Sequence, residues 1–287
     1  MKLDKNTNIL IVGLGVIGGG YAQALTSAGY NVDCITKEQK DIDYAIERGM
    51  IKRGTTALDK ELIKKANLII FAVYPRVFID WINENQHLLS PGALITDVTG
   101  VKGNVVKKVQ DVLRDDVEYI AAHPMAGRER SGVEFSDPQV FKGANYIVTP
   151  TEKNTEQAIE TCMELGRILG FAKISKLSPE EHDKMIAFLS QLTHCIAVTL
   201  MTCNNTPDLE KYTGDSFRDL TRIAKINDKM WSELFLMNKE QLLEQMDVFI
   251  KEFIDFKKMI ENDQEEQMRE VMKKATSRRM LFDKPKA

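Results

Sequence analysis

From residue 8 to about residue 175, short apolar runs alternate with longer amphipathic stretches, the pattern of strands joined by crossover helices. Asn8–Val12, Asn31–Ile35, Leu68–Val73, Ala93–Asp97, Val117–Ala122 and Asn145–Thr149 read as strands. Their spacing leaves room for helices between them, which predicts a mostly parallel, doubly wound α/β sheet of the Rossmann type. Ser178-Pro179-Glu180 is a helix start, with Ser as the cap and Pro in the first turn, and no further strand is read beyond it. The expected organisation is therefore a dinucleotide-binding domain over 1–176 and an all-α domain over 177–287. Within the helical half, Leu242, Met246, Phe249, Phe253, Phe256 and Ile260 form a heptad seam that Ile250 and Ile254 widen. Such a stripe suits a helix packed on its own domain or one paired with a second chain, and its width favours an interdigitated homodimer domain. The charge-rich stretch 261–279 reads as a solvated closing helix.

The first strand runs directly into Gly13-Leu14-Gly15-Val16-Ile17-Gly18, which in turn opens a helical stretch. In that context a G-x-G-x-x-G loop is a pyrophosphate cradle. The first glycine makes the turn, the second admits the phosphates to the backbone, and the third lets helix and strand pack closely. Val73 and Asp97, at the ends of the third and fourth candidate strands, are expected to face the same cofactor. The tip of the second strand, which reads the adenosine ribose, carries Thr36 and Lys37, while the acidic Asp33 lies inside the strand. A hydroxyl and an ammonium suit a 2′-phosphate, so NADP is expected over NAD.

Composition narrows the function further. A net charge of −3 with dispersed basic residues leaves no footprint for nucleic acid. The apolar run 9–17 is broken by glycines and lacks a cleavage site, and no other segment is read as long enough to span a membrane. Cys34, Cys162, Cys195 and Cys203 show no metal-ligand spacing and read as buried thiols of a reducing cytoplasm. No histidine cluster points to a metal. The chemistry-bearing segment is His123-Pro124-Met125-Ala126-Gly127, an imidazole at the carboxyl end of a strand followed by a rigid turn, the edge at which open α/β sheets bind ligands.

Three longer motifs extend that segment. His123-Pro124-Met125-Ala126-Gly127-Arg128-Glu129-Arg130-Ser131-Gly132, Ser190-Gln191-Leu192-Thr193-His194 and Phe217-Arg218-Asp219-Leu220-Thr221-Arg222-Ile223-Ala224 resemble, in order, the signature motifs of the prephenate dehydrogenase family. The resemblance implies NAD(P)-dependent oxidative decarboxylation of prephenate, or of arogenate, in a cytoplasmic homodimer. It implies that His123 accepts a hydrogen bond from the substrate hydroxyl and that Ser190, His194 and Arg222 hold the substrate, with Glu129 gating the pocket. Many members carry Asp-x-x-Ser-Val-Lys after the fourth strand. Here the sequence is Asp97-Val98-Thr99-Gly100-Val101-Lys102, so the serine hydroxyl is missing, Thr99 is the candidate substitute, and Lys102 is expected near the nicotinamide. No appended regulatory domain is read, so any feedback by tyrosine would act at the active site. The alternative from another class, a non-catalytic NADP-binding sensor, rests on the glycine at position 100.

Overall fold

The computed structural model of the chain describes residues 2–127, 130 and 132–283. Among the described residues nine strands form two sheets: β1 Asn8–Val12, β2 Asn31–Ile35, β3 Arg53–Thr55, β4 Leu68–Phe71, β5 Leu94–Asp97, β6 Glu118–Tyr119, β7 Ala121–Pro124, β8 Asn145–Thr149 and β9 Lys173–Lys176. Five helices connect the first six strands: α1 Val16–Ser27, α2 Gln39–Glu47, α3 Lys60–Lys65, α4 Pro75–Asn85 and α5 Gly103–Gln110. After β8, α6 Glu156–Ile168 leads to β9, followed by α7 Pro179–Ile186, α8 Thr193–Thr202, α9 Asp215–Thr221, α10 Asp228–Met237, α11 Lys239–Glu261 and α12 Glu265–Met280.

The large sheet has the order β3-β2-β1-β4-β5-β6, and every pairing in it is parallel. That order reverses between β1 and β4, the crevice in which doubly wound sheets bind dinucleotides. Its central strands carry continuous apolar runs, with every residue of β4 and β5 buried, because helices cover both faces. The expected Val117–Ala122 strand is in fact two. Glu118 and Tyr119 pair with β5, and after Ile120 the chain leaves that sheet to join a second one, ordered β7-β8-β9. There β7 runs antiparallel to β8, with His123 opposite Ile147. Strands β3 and β9 were not expected from the sequence, because both are short, polar and largely exposed.

Contacts divide the chain into one unit through Lys239 and a second from Glu240. The change from strand to helix after residue 176 is therefore not a break in packing, and α7 to α10 belong to the same unit as the sheets. The helical run Pro179–Thr202 corrects the expectation about membrane-spanning length: it spans 24 residues and holds an 18-residue window with a mean hydropathy of 1.5, long and apolar enough to cross a membrane. It nonetheless buries His182, Asp183 and Gln191 in hydrogen bonds within the first unit. In the second unit, the side chains of Phe249, Ile250, Phe253, Ile254 and Ile260 on α11 are exposed, and the rings of Phe249 and Phe253 stack at 6.0 Å. No described residue of α12 is buried. Cys34 and Cys162 are buried and their thiols are pushed up to about 12 and about 11 by desolvation, whereas Cys203 is exposed, contrary to expectation.

Candidate active site

The glycine loop has the geometry of a phosphate cradle. Gly13 has φ +96°, and a Cβ there would lie 2.5 Å from the carbonyl oxygen of Ala72 and 2.6 Å from Val73 Cγ1, at the end of β4. At Gly18 a Cβ would lie 2.1 Å from the Gly13 carbonyl oxygen, so α1 approaches the loop only because glycine stands there. At Gly15, the residue capping α1, a Cβ would meet nothing within 4 Å, which leaves open space at the helix N-terminus. Leu14 and Val16 are buried, so they hold the loop by packing and offer a ligand only their backbone. These features fit a dinucleotide: the phosphates would lie against Gly13, Gly15 and the first turn of α1. Thr36 Oγ1 accepts a hydrogen bond from Leu14 N at 3.3 Å, tying the β2 tip to the loop, and Lys37 beside it is exposed. Asp33 is turned toward β3, where it pairs with Arg53 at 3.3 Å.

Beyond β5 the chain forms a buried ionic knot. Lys102 Nζ lies 2.7 Å from Asp97 Oδ2, and both side chains are 0% exposed. Asp97 also accepts from the Tyr119 hydroxyl at 2.8 Å, from Thr99 N at 2.8 Å and from the Thr99 hydroxyl. Lys102 donates in addition to Thr99 Oγ1 at 3.2 Å. Burial lowers the lysine's pKa, opposed by the attraction of Asp97. Two expectations change accordingly: Asp97 braces the loop after β5 from within, and Thr99 faces Asp97 and so does not replace the missing serine. Lys102 is the buried counter-ion of Asp97.

His123 finds a different partner. Its Nδ1 lies 2.8 Å from His182 Nε2, and His182 Nδ1 lies 2.8 Å from Asp183 Oδ1. Asp183 in turn accepts from Lys102 N at 2.7 Å and Gly103 N at 2.8 Å, the first amides of α5. The carboxylate thus caps that helix. The sequence positions it there: Ser178 and Glu181 form a capping box and Pro179 opens α7, which brings His182 and Asp183 round to the sheet. His123 is partly exposed and His182 fully buried. Desolvation, followed by His182 and Lys102, holds the His123 pKa well below 6.5, and desolvation also lowers that of His182 against the pull of Asp183. A Cβ at Gly100 would lie 3.9 Å from His123 Cε1 and 3.5 Å from Leu234 Cδ1, so position 100 lies beside the His123 ring.

The remaining motif residues converge through α10. Gln191 Nε2 donates to Leu234 O at 3.0 Å, and Asn238 Nδ2 donates to Gln191 Oε1 at 2.8 Å and to Asp183 O at 2.9 Å, stitching α10 to the α7–α8 run. Leu234 then borders Gly100, and one turn earlier Trp231 stacks on His194 with ring centroids 3.7 Å apart. Ser190 and His194 lie four apart, but Ser190 sits in a π-helix, Ala187–Leu192, and its carbonyl accepts from Nδ1 of His194, at the start of α8, at 2.8 Å. Arg222 is exposed in the turn after α9, which packs against α8, the helix of His194. Arg218 is engaged with Asp215 at 2.8 Å. Glu129 lies outside the described residues. Sequence reasoning missed His182, Asp183 and Trp231. For the first two a signal was available, since His182 lies on the same helical face as Ile186 four residues on, a polar pair on a buried stripe.

Known proteins share this fold. The family model of the prephenate dehydrogenase nucleotide-binding domain matches residues 21–172, and that of the prephenate dehydrogenase dimerization domain matches 178–274. A prephenate dehydrogenase of Bacillus subtilis is 30% identical over 276 residues, 93% of this chain and 74% of that one. A cyclohexadienyl dehydrogenase of Zymomonas mobilis is 29% identical, covering 88% of this chain and 87% of its own. The crystal structure of prephenate dehydrogenase from A. aeolicus in complex with hydroxyphenyl propionate and NAD+ superposes with a TM-score of 0.91 at 31% identity, over 99% of this chain and 100% of that one. With both family models matched in order across the two halves, the chain belongs to the prephenate dehydrogenase family.

Proposed function

We propose that this protein oxidises and decarboxylates prephenate to 4-hydroxyphenylpyruvate, with His123 as the group that handles the substrate hydroxyl proton. The observation that carries the reading is His123 itself: a partly exposed imidazole kept neutral by burial, at the end of β7, backed by a buried His–Asp pair. The nicotinamide supplies the hydride acceptor. His123 takes the C4 hydroxyl proton as the C4–H electron pair leaves as hydride. The ring carboxylate departs as carbon dioxide, its bonding pair completes the aromatic ring, and the proton on His123 returns to the phenolic oxygen. No net proton is taken up or released. Arg222 and His194 hold the substrate's carboxylates, and an arginine does so bidentately, with Ser190 assisting from the π-helical segment just before α8.

The protein acts as a cytoplasmic homodimer through its helical half. The match to the dimerization domain and the exposed phenylalanine and isoleucine side chains of α11 support that assembly. NADP is preferred over NAD, a reading supported by Lys37 exposed beside Thr36 at the β2 tip and by the pairing of Asp33 away from it. Arogenate is the alternative substrate, because a relative is named for cyclohexadienyl substrates generally. Initial rates with prephenate and with arogenate, each with NAD+ and NADP+, test all of this. Turnover of prephenate with the higher kcat/KM for NADP+ is expected, and absence of turnover with every pair would overturn the assignment.

A further inference from the structure

We infer that His182 and Asp183 are positioning residues that lock His123 in the one tautomer able to accept a proton from substrate. This rests on the proposed reaction and goes beyond it, since neither residue lies in the motifs that carried the family resemblance.

The argument runs from donors to acceptors along the chain. Both Asp183 oxygens receive backbone N–H groups, from Lys102 and Gly103, so the carboxylate acts as an acceptor throughout. The short contact to His182 Nδ1 therefore requires the proton on that nitrogen. A neutral His182 then presents a lone pair at Nε2, and the 2.8 Å contact requires His123 Nδ1 to be the donor. His123 is left with its lone pair on Nε2, the nitrogen not engaged with His182. The opposite tautomer would place a proton on Nε2 and could not receive one from the C4 hydroxyl. The same chain stabilises the imidazolium that forms during turnover, because its Nδ1–H bond strengthens as charge develops. The charged groups around it are Asp97 at the end of β5, Lys102 on the β5–α5 loop and Asp183 on α7. Lys102 is neutralised by Asp97 and donates its backbone amide to Asp183, so the loop after β5 supports the relay and the ionic knot together. This explains how His123 is held where Gly100 offers no hydroxyl.

Selective 15N labelling of the four histidines of the full-length protein reads the tautomers directly, with His123→Asn assigning its own resonance. The expected spectrum has His123 protonated at Nδ1 and bare at Nε2. Asp183→Asn, whose amide nitrogen donates to His182, reverses both rings and lowers kcat by about 10⁴-fold, the loss a wrong tautomer causes in a Ser-His-Asp triad. His182→Gln keeps an acceptor for His123 and a donor for Asp183, so it preserves the tautomer and keeps kcat within about tenfold of wild type, the scale of one hydrogen bond. His182→Leu, whose fold is checked by circular dichroism and a thermal melt, loses both. A wild-type His123 protonated at Nε2, or equal kcat values in the Gln and Leu variants, overturns the inference. A wild type with the expected tautomer but no turnover of either cyclohexadienyl acid supports the dyad and removes the reaction.

Discussion

Replacing Lys102 by Met tests the reading of the ionic knot. Lys102 Nζ lies 2.7 Å from Asp97 with both side chains fully buried, so the substitution leaves the carboxylate with the Tyr119 hydroxyl and the Thr99 groups as its remaining donors. Breaking a buried pair on one side costs about 3–5 kcal/mol, because the stranded charge keeps its desolvation penalty. For a chain of this size that corresponds to a fall in Tm of about 6–20 °C. Methionine nearly conserves the volume, so cavity formation contributes little. Urea denaturation followed by circular dichroism measures the loss, and the double variant Lys102→Met/Asp97→Asn separates charge from shape. With both charges removed the double variant should regain most of the lost stability, a coupling of about 2–3 kcal/mol across the cycle. A single variant within about 1 kcal/mol of wild type, or a double variant no more stable than the single, would refute the reasoning.

Three further outcomes concern the histidine pair and the glycine loop. The folded-state pKa values of His123 and His182 are depressed, so below the ordinary value of 6.5 the unfolded chain binds protons that the folded chain does not. Their contribution to stability is complete above that value and is lost as the pH falls from it toward the folded-state values. The acid limb of kcat/KM should likewise lie below 6.5, and a limb at or above it would contradict the burial argument. Gly18→Ala drives a Cβ into the Gly13 carbonyl, whereas Gly15→Ala meets open space. The first should lower stability by about 1–3 kcal/mol together with cofactor affinity, and the second should lower affinity alone, as read by paired thermal melts and calorimetric titrations.

Much of this site is legible in the sequence because the features concerned are local. Strands β1, β2 and β8 match their expected bounds, since each is an apolar run bounded by polar or turn residues. The glycine loop is equally readable, because its spacing alone dictates backbone geometry. What the sequence hides is long-range. Residues 117–122 read as one strand, yet the chain changes sheets at Ile120, because Tyr119 is drawn to β5 and Ala121 to β8. Nothing in the sequence shows that Asp97 gathers Lys102 and Thr99 into one buried cluster. His182 meets His123 across 59 residues of sequence, and only the capping of α5 by Asp183 fixes where that meeting occurs.

The most direct test of the central claim is the turnover of prephenate by wild type and by His123→Asn, followed by the appearance of reduced nicotinamide under saturating cofactor. The account predicts 4-hydroxyphenylpyruvate and carbon dioxide from the wild type, and a kcat lowered by about 10²–10⁴-fold in the variant with little change in KM. A variant that turns over at close to the wild-type rate would contradict it.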